Sequence, residues 1–535
     1  MISPAVAAVV MWWCASTFAL SRWLGVSALV VCQFAAAQDA TAVLATTLLT
    51  RSGPVQGSVQ VAGDTVAFRG LPYAAPPVGD RRWREPGPAP IWTAPRAALR
   101  NGPACPQPRG PSLEGGGDVG PVDEDCLTLN VFAPMGAASA GRLPVMVWLH
   151  GGALVLGSGG LPIYDGAALA RRGVIVVTVN YRLGHLGVFA HPALERALPG
   201  GPVNFGLLDQ MAALRWVQDN IAAFGGDAGR VTLFGQSAGA QSVLALLASP
   251  MAQGLFHRAI VQSAYGLPSH TRAKALAVGS QVAEHAGLPG ARASLDEMRR
   301  LPVQSLLAAQ AAKLTLAPSF IVGDRALPTT IVQTFQQGRQ APVPLLIGNN
   351  SDEASIAAAF GIDSTRLLDQ LGRAKVLVRA LHPGVTDDAQ LSREVVRDAV
   401  FTAYAKRIAT LHIDKAPTWR YYFSHRPAGQ RTPPGGVGHG GEVPYVHGSI
   451  RSCDCLGGAL DASDDAVAQR VGDLWAGFAS NGTLPWTRDD RVRGFVSEIA
   501  DTDIARPRFM RARLNAYILA GNAVQRGAVG APASR

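Results

Sequence analysis

Gly235-Gln236-Ser237-Ala238-Gly239 is the stretch of this chain whose residue types and spacing could do chemistry. A serine with glycines two residues to either side suits a nucleophile elbow, a strained strand-to-helix turn that lifts the hydroxyl above a sheet. In a chain holding 59 glycines such a pattern recurs easily, so its surroundings must decide. Here Val231-Thr232-Leu233-Phe234 reads as a short strand running into Gly235, and the Ala- and Leu-rich residues beyond Gly239 read as a helix. A helix N-terminus at that point favours developing negative charge.

A serine attacking a carbonyl carbon creates an oxyanion, which needs N–H donors already in place. His150-Gly151-Gly152-Ala153 follows the apolar run Val145-Met146-Val147-Trp148-Leu149, upstream of the serine, where such a loop belongs. The expected donors are the backbone N–H groups of Gly152, Ala153 and Ala238, each worth about 3–4 kcal/mol in the transition state. His150 itself is expected to brace the loop.

These pieces need a rigid frame. Val174-Ile175-Val176-Val177-Thr178-Val179 has the β-branched character of a buried parallel strand, and Pro344–Gly348 and Trp419–Phe423 read as later strands. Leu207, Met211, Leu214, Val217 and Ile221 are spaced as one face of an amphipathic helix stopped at Gly225-Gly226. Strands alternating with helices predict an α/β fold: a mostly parallel central sheet with helices on both faces. Residues 265–340 and 355–415 read as largely helical, with insertions over the sheet's C-terminal edge.

The 535 residues are 48% hydrophobic and 16% charged, enough for a large core and too apolar for a disordered chain. The formal charge is +10, and Arg22 is the only charged side chain before residue 38. The sequence shows no run of five like charges and no basic stripe interleaved with aromatics, so nucleic acid is not implied.

Apolar residues run from Pro4 to Leu20 and again from Trp23 to Val31, and Ala35-Ala36-Ala37 offers a peptidase its small residues. Residues 1–37 are therefore expected to be a signal peptide for export to the periplasm or outside, with a retained membrane anchor as the alternative. Residues 38–521 are expected to form one domain, and 522–535 a loose tail. Past the leader, Cys105, Cys126, Cys453 and Cys455 remain, an even number that suggests bridges in an exported protein. Cys105 and Cys126 flank a Gly- and Pro-rich loop suited to a staple. Cys453 and Cys455 read as too close for an easy bridge, and no second Cys or His pair completes a metal site with them.

Several stretches together resemble the type-B carboxylesterases, the group of cholinesterases and para-nitrobenzyl esterases. They are Phe68-Arg69-Gly70-Leu71-Pro72-Tyr73-Ala74, Pro76-Pro77-Val78-Gly79, Glu124-Asp125-Cys126-Leu127-Thr128-Leu129-Asn130-Val131, Asn204-Phe205-Gly206-Leu207-Leu208-Asp209-Gln210 and Phe224-Gly225-Gly226-Asp227. The resemblance implies an α/β-hydrolase fold and an esterase that needs no cofactor, acting on small to medium carboxylic esters through an acyl-enzyme. It assigns the acid to Glu353, in Gly348-Asn349-Asn350-Ser351-Asp352-Glu353, with Asp352 as fallback. It assigns the base to His439, in His439-Gly440-Gly441-Glu442-Val443-Pro444-Tyr445, with His425 and His447 as alternatives. It also implies a Cys105–Cys126 bridge. Ser263 matches a serine that relatives place near the triad, although an ordinary polar role is open to it.

Three features depart from the family pattern. Gln236 stands where many relatives carry Glu, and Leu154 where an aromatic often follows the oxyanion glycines. The loop between Cys105 and Cys126 holds no Trp, so a choline ester is not the expected substrate. A catalytically dead binding domain, or a specialised lipase, thioesterase or detoxifying esterase, are the competing functions.

Overall fold

Alternating residues of the central strands feed two separate cores, and this sets the layers of the molecule. The computed structural model describes residues 45–60, 63–108, 118–360, 363, 367–432, 435–453 and 455–530. The expected signal peptide and its cleavage point at Gln38 lie outside these residues. From Thr46 onward the chain is one compact unit.

The strands are β1 (Ala45–Thr50), β2 (Gly53–Val59), β3 (Thr65–Pro72), β4 (Arg96–Ala97), β5 (Thr128–Pro134), β6 (Leu143–Leu149), β7 (Ile175–Val179) and β8 (Gly226–Gln236). They continue with β9 (Arg258–Gln262), β10 (His270–Thr271), β11 (Ile321–Val322), β12 (Leu345–Asn350), β13 (Thr418–Phe423), β14 (Val496–Ile499) and β15 (Ile504–Arg506). The main sheet runs β1-β2-β3-β5-β7-β6-β8-β9-β12-β13-β14-β15, with β4 beside β2. Its centre, from β7 through β14, is parallel, and antiparallel pairs flank it on both sides. The α/β-hydrolase expectation therefore holds.

Val145, Val147 and Leu149 of β6 enter one core, while Met146 and Trp148 enter the other. The same alternation separates Ala259 and Val261 from Ile260, and Leu345 and Ile347 from Leu346. Helices α1 (Phe205–Asn220) and α2 (Ala238–Ala248) pack on the first face through Met211, Leu214, Val243 and Leu246. On the other face a later helix, Ala462–Asn481, presents Val467, Val471, Trp475 and Phe478.

Two elements differ from the sequence reading. The spacing of α1 predicts one apolar face, yet the helix is buried almost all round, with only Arg215 and Asp219 exposed. It ends in a tight turn at Gly225, whose φ of 86° is the left-handed conformation glycine adopts freely. Strand β8 spans eleven residues rather than four, because Gly226–Arg230 extend the ladder at an edge of mixed burial that hydrophobicity alone does not mark.

Between residues 265 and 340 lie α3 (Arg272–His285) and α4 (Val303–Ala311). Between 355 and 415 lie α5 (Lys375–Leu381), α6 (Asp388–Val396), a π-helical turn at Arg397–Thr402 and α7 (Ala403–His412). With the later helix as α8, the last, α9, covers Arg511–Gly530, so the backbone stays helical past Gly521. Among the described residues no helix is long and apolar enough to cross a membrane.

Candidate active site

Ser237 sits between β8 and α2 with φ 56° and ψ −121°, a backbone conformation that non-glycine residues rarely adopt. The glycines beside it are there for close approach. A Cβ on Gly239 would lie 1.9 Å from the Leu149 carbonyl oxygen, and one on Gly235 would lie 2.7 Å from the same atom. Any side chain at Gly239 would push α2 off β6 and spoil the turn.

The ends of β8 and β12 and the loop beyond β13 bring Ser237, Glu353 and His439 together across 202 and 86 residues of sequence. Ser237 Oγ lies 2.7 Å from His439 Nε2. On the far side of the ring, His439 Nδ1 is 2.5 Å from Glu353 Oε2. All three side chains are almost fully buried. A carboxylate facing Nδ1 makes that nitrogen the N–H donor, which leaves the Nε2 lone pair to accept from the Ser237 hydroxyl.

Glu353 is held from behind. Its Oε1 accepts from the Ser263 hydroxyl at 2.6 Å and from the Asn350 N–H at 2.6 Å. The His439 backbone N–H donates to Ser355 Oγ at 2.8 Å. The Phe401 ring, on the π-helical turn, tilts over the imidazole with 5.3 Å between centroids. Asn350 Nδ2 also donates to Glu442 Oε2 at 2.6 Å, and Gln262 Nε2 donates to Glu442 Oε1 at 3.1 Å. Burial, and then the charge of Glu353, push the Glu442 carboxyl above its ordinary range, while the two amide donors pull it back. Trp475 Nε1 closes the chain by donating to Gln262 Oε1 at 3.0 Å.

Ser263 was in view from sequence, but Asn350, Ser355, Phe401, Gln262 and Trp475 were not. They act through contacts from distant segments and carry no local pattern. Glu442 alone left a trace, as the acid three residues after His439.

The other candidates lie elsewhere. Asp352 pairs with Arg393 and does not face the imidazole. His425 is bound by Asp501 and Asp464, at 2.6 and 2.8 Å. His447 is buried among Trp148, Tyr164 and Phe234, its pKa pushed down to about 3 by burial.

In the expected oxyanion loop, Gly152, Ala153 and Leu154 have φ of 97°, 55° and 62°. The turn is closed by Val155 and Leu156 N–H groups donating to Gly152 O, both at 2.9 Å. Ala238 opens α2, so its N–H is one of the donors a helix leaves without an internal partner. His150 stacks on Tyr181 at 4.3 Å, and its Nδ1 lies 2.8 Å from Gly151 O. Burial pushes its pKa down to about 4. A neutral ring inside the turn fits the bracing role.

Leu154 is an interior residue. It is buried in the larger core, and its carbonyl accepts from Gly184 N at 2.7 Å. Gln236 is wholly buried with Nε2 3.3 Å from His439 Nε2, so a neutral amide faces the ring.

Cys105 and Cys126 are bonded, with Cα atoms 5.0 Å apart. Cys453 and Cys455 are bonded as well, which corrects the expectation that they are too close. A turn in which Cys453 N–H donates to Ser449 O brings their Cα atoms to 5.1 Å, well inside disulfide range and shorter than an extended pair would reach.

Among the described residues, the ligand atoms of His382, Glu394 and Asp398 come within 4.8 Å of one another, close enough to hold an ion. Their negative charge is already met by guanidinium groups. Arg397 Nε is 2.7 Å and Arg513 Nε 2.9 Å from the Asp398 carboxylate. Their hydrogen bonds and charges give an ion-pair cluster that ties α9 to α6.

Comparison with known proteins decides the family. The Carboxylesterase family profile matches residues 44–388 and 384–491. This chain is a carboxylesterase. It is 36% identical over 458 residues to the fumonisin B1 esterase of Sphingopyxis macrogoltabida, covering 81% of each chain. It is 35% identical over 450 residues to the para-nitrobenzyl esterase of Bacillus subtilis (strain 168), covering 81% of this chain and 89% of the relative. The solved structure of a thermophilic para-nitrobenzyl esterase superposes with a TM-score of 0.76 at 31% identity, over 88% of this chain and 99% of that one. The carboxylesterase is thus a serine hydrolase of carboxylic esters.

Proposed function

We propose that this carboxylesterase works through Ser237 as nucleophile, His439 as general base and acid, and Glu353 as the group that orients and charges the imidazole. The observation carrying this reading is the two-sided contact of His439, 2.7 Å to the serine and 2.5 Å to the glutamate. As the Ser237 oxygen attacks the ester carbonyl carbon, its proton passes to His439 Nε2. Glu353 stabilises the imidazolium without taking its proton. The oxyanion is received by the N–H groups of Gly152, Ala153 and Ala238. His439 then protonates the departing alkoxide and leaves the acyl group on Ser237. A water deprotonated by the same imidazole attacks the acyl-enzyme and releases the acid.

The substrates we infer are small to medium esters, processed by one domain spanning residues 38–521 after export. The Cys105–Cys126 and Cys453–Cys455 bonds support an oxidising compartment. The test is hydrolysis of p-nitrophenyl esters from acetate to palmitate, with a fluorophosphonate probe mapped by peptide mass. Turnover peaking on short and medium acyl groups, with the probe on Ser237, upholds the proposal. A probe on another serine, or a maximum on the longest esters, overturns it.

A further inference from the structure

A pocket of about 180 Å³ opens where α7, β13, the loop 489–494 and the start of α9 meet. Five cationic side chains line it: Lys406, Arg420, Arg491, Arg508 and Arg511. Two carboxylates share the wall, and both are engaged within the framework. Asp489 holds the buried Arg420, with 2.6 Å between Oδ2 and Nε. Asp490 accepts from the backbone N–H groups of Val492 and Arg493 in its own loop.

The remaining charge is not balanced. Arg491 has Asp414 as partner, outside the pocket. Among the described residues, Lys406, Arg508 and Arg511 have no carboxylate within ion-pair distance. Lys406 Nζ is held instead by the Asn515 side-chain oxygen at 2.5 Å, which leaves the Asn515 amide N–H groups as further donors. Burial, and then the charges of Arg420 and Arg511, push the Lys406 ammonium down to about 8, with Asp489 pulling it only partly back.

We infer that this pocket is a binding site for a small multivalent oxyanion, of the kind carried by phosphate or by a polycarboxylate. Guanidinium forks match such oxygens in pairs, and the ammonium adds a point charge. The volume admits one phosphate with its waters or one tricarboxylate, and the five cations against Asp489, Asp490 and Asp414 leave about two positive charges for an anion to meet. A bound anion would join α7 and β13 to the first turn of α9, so it would fasten the C-terminal helix to the sheet. Free phosphate and the carboxylate products of ester hydrolysis are the two sources this chemistry fits.

Isothermal titration of the full carboxylesterase with phosphate, citrate and acetate tests the site, in a buffer whose ionic strength is fixed with chloride. The expected result is a saturable one-to-one isotherm for phosphate or citrate and none for acetate. Whichever of the two binds more tightly identifies the source. Lys406→Met and Arg508→Ala should each weaken binding at least tenfold, while Arg142→Ala, on an exposed side chain outside the pocket, should leave it intact. Unchanged p-nitrophenyl acetate hydrolysis shows that each variant is folded. In the wild type the anion should also slow reductive methylation of Lys406, read by peptide mass. Heats that follow ionic strength alone, or equal affinity in both pocket variants, overturn the site.

Discussion

Ser263 and His439 grip opposite oxygens of one buried carboxylate: the Ser263 hydroxyl donates to Glu353 Oε1 at 2.6 Å, while His439 Nδ1 faces Oε2 at 2.5 Å. Ser263 has a φ of 57° and is fixed by its own N–H donating to Gly348 O at 2.8 Å. Its hydroxyl is therefore aimed by backbone geometry rather than by chance rotation. Ser263→Ala removes one of three donors to Glu353 and lets the carboxylate shift. Hydrogen bonds to charged groups are worth about 1.5–3 kcal/mol, so kcat should fall by roughly 10- to 100-fold with KM little changed. Steady-state kinetics on p-nitrophenyl butyrate checks this; an unaltered kcat would assign Ser263 a packing role only.

Gln236→Glu puts a carboxylate beside His439 Nε2, where the amide nitrogen now lies 3.3 Å away. An adjacent negative charge favours the imidazolium, so the ring would keep its proton to higher pH. The acid limb of the kcat/KM profile should move up by about one pH unit. The Gln236→Leu variant, with no added charge, should leave the limb in place. A limb that does not move in the Glu variant would show that the two groups are not coupled.

Three buried imidazoles make the fold acid-sensitive. Burial pushes His150 and His185 down to about 4 and His447 down to about 3, from 6.5. The unfolded chain therefore binds more protons than the native state below pH 6.5. Stability is complete above 6.5 and is lost as pH falls through 4 and then 3. At pH 5.5 each group costs about 1 kcal/mol. Glu442, Asp125 and Asp503, pushed upward, work in the opposite sense, while His191, His257, His270 and His412, also pushed down by burial, add to the loss. Urea unfolding should show a lower midpoint at pH 5.5 than at 7.5 with the same m-value, and a shallower dependence in His447→Leu. Equal midpoints at both pH values would contradict this.

The bond between Cys105 and Cys126 closes a loop with a sequence separation of 21. Loop-closure entropy for that length predicts about 3 kcal/mol of stabilisation. Paired replacement of both cysteines by serine should lower the melting temperature by several degrees while kcat for small esters changes little. Calorimetry with and without the bridge reads this directly, and an unchanged melting temperature would place the loop outside the cooperative unit.

The sequence reading reached furthest where chemistry forces a local pattern. Ser237 was legible because a nucleophile elbow needs small residues at 235 and 239, and their close contacts with Leu149 show why. The parallel strands were legible because burial on both faces demands runs such as Ile175–Val179. Glu353 and His439 needed the family resemblance, since no spacing rule links residues 86 apart that meet only after folding. The reading misjudged the Cys453–Cys455 pair because their bond depends on a local backbone turn. It could not see Gln262, Trp475 or Phe401, whose roles arise from packing between distant segments.

The most direct test of the catalytic account is the kcat of Ser237→Ala on p-nitrophenyl butyrate, measured beside a circular-dichroism check of its fold. With the Ser237 hydroxyl as the proposed acyl-enzyme former, the predicted loss is on the order of 10⁴-fold or more with the fold intact. A folded variant keeping activity within tenfold of the wild type would show that ester cleavage proceeds at another residue.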